Sequence, residues 1–174
     1  MFQGWDNFFF MLGSAAAGLI GLMFVVVTLT AGFDQSRRLW GQKLYLTPTV
    51  LQFAMVLVVS AVALAPGLSA AATAAVLAAI GLFGLANEVR TSAGIADPGS
   101  GGPPSHWTDV WAYGVFPAAI YLLLCAVSIV IWTAAAAWAG DAVAALALAL
   151  LLSGIRNAWD LVTWIAPQTK GDER

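Results

Sequence analysis

Along this chain apolar residues do not alternate with polar ones at the period of a strand or of a surface helix. They run in long blocks, each near or above the ~18 residues needed to cross a bilayer. The blocks predict spans at about 8–31, 44–65, 68–89, 110–139 and 142–166. Between them fall short polar or helix-breaking interruptions: the segment FDQSRRLWGQK, the pair Pro66-Gly67, the run Asn87-Glu88-Val89-Arg90 with its glycine- and proline-rich sequel, and Gly140-Asp141. Proline lacks a backbone donor and glycine tolerates unusual backbone angles, so Pro66-Gly67 divides two spans. Lipid offers no partner to exposed backbone N–H and C=O groups, so spans of this length are read as helices. The predicted fold class is an all-α integral membrane bundle of five transmembrane helices forming one domain, residues 1–174.

Composition strengthens that reading. Hydrophobic residues make up 61% of the 174 residues and charged residues 9%, against roughly a quarter charged in soluble domains. No basic surface suggests a nucleic-acid partner. The N-terminal MFQGWDNFFFMLG carries Asp6 where a signal peptide would carry Lys or Arg, and its apolar stretch continues to Leu29, so it reads as a retained first span. Cations then set the orientation. Arg37, Arg38, Lys43, Arg90, Lys170 and Arg174 all fall on one side of a five-span chain, which predicts an outside N-terminus and a cytoplasmic C-terminus. Tryptophans agree: Trp5, Trp132 and Trp138 fall near the predicted outer interface, and Trp40, Trp107, Trp111 and Trp164 near the inner one. Residues 91–108, with DPGSGGPPS from Asp97 to Ser105, read as a flexible cytoplasmic loop.

Helices associate in lipid through small residues and a few hydrogen bonds. In the first span Gly13, Ala17 and Gly21 recur every four residues, with Ser14 and Gly18 beside them. This ridge predicts close helix packing, within the monomer or between subunits. Gly114, Pro117, Tyr121, Cys125 and Ser128 form a weakly polar face on the fourth span, where Pro117 should kink the helix or loosen its ladder. Gln52 and Ser60 form another on the second span. Both faces read as interhelical contacts. Cys125 reads as a buried structural thiol, with no second cysteine to pair with.

The most informative stretch is SGIRNAWDLVTW near the C-terminus. Ser153, Arg156, Asn157, Asp160, Thr163 and Trp164 follow helical spacing along one stripe, with Ile155, Leu161 and Val162 opposite, suited to lipid. An unpaired arginine at that depth costs at least about 2.5–3.5 kcal/mol. The sequence therefore predicts that Arg156 points into the bundle and bonds Asp160 or Glu88, with Asn157 completing the network and Asp109 as a third available acid. Such a cluster is either a structural buckle or the lining of an intramembrane path. If the fifth span tilts or ends early, Arg156 reaches the interface and snorkels.

No chemistry beyond this cluster is apparent. His106, at the start of the fourth span, reads as an interface anchor. No metal set, cofactor motif, nucleophile–base pair or phosphate loop is visible, so the chain is not expected to be an enzyme. Five spans do not divide into equal halves, which speaks against an inverted-repeat transporter. The stretches WDNFFFMLGSAAAGLIGLMFVVVTL, VLVVSAVALAPG and RNAWDLV together resemble a group of small bacterial multi-span membrane proteins, some of which carry the label of modulator of the protease FtsH. The resemblance implies a multi-pass protein of the bacterial inner membrane with a regulatory or assembly role. The expected function is thus association in the lipid bilayer, as a homo-oligomer or with a membrane-protein partner. The alternative is a small oligomeric channel or transporter whose path passes Arg156, Asn157 and Asp160.

Overall fold

A computed structural model describes residues 2–29, 46–96, 111–134 and 136–165. Among these the chain is all-helical: α1 Asp6–Leu29, α2 Thr47–Leu64, α3 Ala70–Ala96, α4 Phe116–Ala134 and α5 Ala139–Ile165, with one turn of wider π geometry, Trp111–Val115, leading into α4. Five segments are long and apolar enough to cross a membrane, the π turn and α4 counting as one.

The element ends follow local chemistry. Ala65 adopts the extended backbone that a following proline favours, Gly67 takes a positive φ of 76°, and Ser69 Oγ accepts the N–H of Ala72 as α3 begins. The break expected at Pro66-Gly67 is therefore present. Pro117 has no N–H to offer the preceding turn and its ring crowds the carbonyl four residues back, so the ladder widens at Trp111–Val115.

Two boundaries differ from expectation. α3 continues to Ala96, so residues 91–96 are helical rather than loop, while residues 97–108, with His106 and Trp107, lie outside the described residues, as do Asp109, Trp40 and the tail cations. Thr91 is buried and Ser92 packs against Gly114, contacts that reward another helical turn. The turn between the last two helices lies before Ala139, not at Gly140-Asp141, because Asp141 occupies the first turn of α5, where a carboxylate meets the positive end of the helix.

Helices α2, α3, α4 and α5 form a ring, each packed on the next, with α3 against α4 the most extensive contact. α1 stands outside this ring, packed on α2 and touching α5. The N-terminal residues Gln3 and Asp6 share a recess with Pro66, Gly67 and Leu68, so the start of α1 and the α2–α3 turn lie at one end of the bundle.

Candidate functional site

Polar side chains gather at the opposite end of the ring. Gln52 lies five residues after the start of α2 at Thr47, and Glu88 and Asn157 each lie eight residues before the ends of α3 and α5 at Ala96 and Ile165. Their hydrogen bonds put the three on one level. Gln52 and Asn157 are 0% exposed and Glu88 is 1% exposed.

One relay joins them. Gln52 Nε2 donates to Glu88 Oε1 at 3.2 Å, and Asn157 Nδ2 donates to Gln52 Oε1 at 3.5 Å. The hydroxyl of Tyr113, on the π turn, donates to the backbone oxygen of Asn157 at 3.0 Å. All four members of the ring thus contribute, counting the π turn with α4. Tyr121 of α4 completes the cluster from one side: its ring covers Gly84, one turn before Glu88, where any Cβ would enter the ring. The relay leaves Glu88 Oε2, Asn157 Oδ1 and the Tyr121 hydroxyl buried and without a hydrogen-bond partner.

Arg156 does not join this network. It faces outward, its side chain 54% exposed, and pairs with Asp160, 43% exposed, at 3.4 Å one turn along the same helix. The partnership with Asp160 agrees with expectation; the inward orientation does not. Adjacent helical residues differ by about 100°, so the predicted stripe splits along its length. Ser153 and Asn157 fall on its buried side, Arg156 and Asp160 on its outer side. Thr163 and Trp164 are in α5, but their side chains are outside the described residues. Ile155 and Val162 are exposed as expected, whereas Leu161 is buried. Arg156 instead borders an open lateral groove with Trp111, Phe116 and Leu152. Within one chain Arg156 and Asp160 thus lie on the outer side of α5 and Asn157 on its inner side.

Gln52 was legible only as an interhelical contact, yet it is the link that ties Glu88 to Asn157. Tyr121 was legible in the same way, as part of the weakly polar face of the fourth span, whereas Tyr113, near the start of that span, reads equally well as an interface anchor.

The small-residue ridge also divides. Gly13 is buried, and a Cβ there would sit 3.0 Å from the Cβ of Ser60 on α2. Ala17, Gly18 and Gly21 are exposed, and a Cβ added at Gly18 or Gly21 meets nothing within 4 Å. The face that α1 buries runs instead through Phe9, Leu12, Gly13 and Ala16. On α4 the expected polar face is the buried one, although Cys125 is only half-buried, its sulfur lying over Gly81. Among the described residues no group of three His, Cys, Asp or Glu side chains could hold a metal ion.

No protein-family profile, no curated protein and no solved structure matches this chain.

Proposed function

We propose that this chain is a multi-pass protein of the bacterial inner membrane that acts by lateral association, with itself or with a larger membrane complex, in a regulatory or assembly role. The observation that carries this reading is the outward face of α1. Ser14, Ala17, Gly18 and Gly21 form a smooth, exposed strip that none of the other described helices covers. In lipid such a strip favours helix association by letting a second backbone come close. α1 is also the least covered span, with 22% of its apolar stretch buried against 50% for α5. The resemblance to proteins labelled as FtsH modulators implies the same kind of role.

The test is cross-linking in native membranes, with products identified by mass spectrometry. Wild-type protein should give a discrete adduct, either of two copies or with one partner. A Gly18→Leu/Gly21→Leu variant should lose it without a fall in unfolding temperature, since none of the described residues meets a Cβ at those positions. Retention of the adduct by that variant would remove the proposal's basis. Ion flux in liposomes that depends on Arg156 would favour the channel reading instead.

A further inference from the structure

We propose that Glu88, Asn157 and Tyr121 form an intramembrane binding site for one monovalent cation, H+ or Na+, with Gln52 holding its two oxygen donors in register. This site is independent of the α1 face. The argument begins with hydrogen-bond direction. An ionised carboxylate can only accept, so Gln52 must turn its amide nitrogen to Glu88 Oε1. Its amide oxygen is then committed to the other side and takes the Asn157 Nδ2 donor. Asn157 is left with its oxygen unused. The direction of the whole relay is fixed by the acid at its end.

A structural buckle would close this network on itself. Here the ends stay open: Glu88 Oε2, Asn157 Oδ1 and the Tyr121 hydroxyl, on three different helices, are buried without a partner. Buried polar groups are ordinarily hydrogen-bonded, so these three open oxygens, with the buried and equally unpartnered Nδ2 of the neighbouring Asn87, point to a guest. The guest must be positive. The relay holds one carboxyl group, and among the described residues none of the side chains bonded to it or covering it carries a positive charge. Those side chains are Gln52 from α2, Tyr113 and Tyr121 from the α4 segment, and Asn157 from α5; only the tyrosines among them titrate. The nearest basic residues along α3 and α5, Arg90 and Arg156, are exposed.

One acid calls for one charge. A proton on Oε2 would turn that atom into a donor, while Na+ would draw on carboxylate, amide and hydroxyl oxygens together, the hard ligands such ions prefer. Both supply the same thing, a single positive charge shared between an acid and neutral oxygens. Intramembrane acids of this kind mark ion and proton sites in other bundles.

The experiment uses the full-length protein in detergent and the apolar reagent dicyclohexylcarbodiimide, which forms a stable adduct with a protonated carboxyl but not with one holding Na+. Labelling of Glu88 is read by mass spectrometry across pH, with Na+ exchanged for choline at constant ionic strength. Unfolding temperature is read in parallel for wild type and Glu88→Gln. Glu88 should label at acid pH. Labelling suppressed by Na+ at fixed pH, with a Na+-dependent rise in unfolding temperature absent from Glu88→Gln, identifies Na+. Labelling suppressed only by rising pH identifies H+. Asn157→Ala should move the Na+ or proton concentration at half-protection by roughly tenfold, as loss of a site-shaping polar group does at other ion sites. Arg156→Leu should leave it unchanged. The proposal is overturned if labelling is indifferent to pH and Na+, or if Glu88 never labels and the unfolding temperatures of wild type and Glu88→Gln respond alike.

Discussion

Arg156 and Asn157 are neighbours in sequence but about 100° apart around α5, and that angle decides what replacing each would cost. Asn157→Ala removes the donor to Gln52 and leaves a buried amide oxygen without its partner, a loss of about 1–3 kcal/mol. Arg156→Leu removes an outward ion pair with Asp160, and exposed pairs are worth about 0–1 kcal/mol. Thermal unfolding in detergent should therefore separate the two variants, with Asn157→Ala clearly the less stable. Equal losses would mean that Arg156 supports the interior after all. The sequence made Asn157 and Glu88 visible as polar residues in apolar spans, but it attached them to the wrong partner. A helical stripe gives relative angles, not the direction of the bundle. In lipid the outer face is as apolar as the core, so the usual contrast that would orient a helix is missing.

At the scale of the helices, glycine marks where two backbones meet, but only when the neighbour is known. Gly84 on α3 lies under the Tyr121 ring, so Gly84→Ala forces that buried side chain to move and should destabilise by about 1–3 kcal/mol, the usual range for overpacking. Gly21 on α1 has nothing above it. There, Gly21→Ala should be neutral or gain up to about 1 kcal/mol in monomer stability from helix propensity. Unfolding of the two variants at a protein concentration where the chain is monomeric checks the contrast. The small-xxx-small spacing of Gly13, Ala17 and Gly21 was plain in the sequence, yet Gly81 and Gly84, separated by three residues, carry the tightest approach of α3 to α4. Spacing identifies a face that could pack closely. The partner depends on the order of helices around the ring, which no single span encodes.

At the scale of the whole molecule the five spans and their breaks were readable because bilayer thickness and backbone satisfaction leave few alternatives. Boundaries were less so: α3 outran its apolar stretch because Thr91 and Ser92 found contacts on the neighbouring segment. The two ends of the bundle differ in charge, and this bears on how it inserts. The end with Gln3, the Pro66-Gly67 turn and the start of α5 holds Asp6 and Asp141 and, among the described residues, no lysine or arginine side chain. At the other end Arg90 follows Glu88 on α3. Cationic segments resist translocation, so the end with Pro66-Gly67 should face outward and the end with Arg90, near the Glu88–Gln52–Asn157 cluster, should face the cytoplasm. Single cysteines in a Cys125→Ala background test this directly. Leu68→Cys, beside the turn, should react with a membrane-impermeant maleimide added to intact cells. Ala93→Cys, on the exposed side of α3 beyond the cluster, should react only after permeabilisation. The reverse pattern would invert the molecule and place the Glu88–Gln52–Asn157 cluster nearer its outer face.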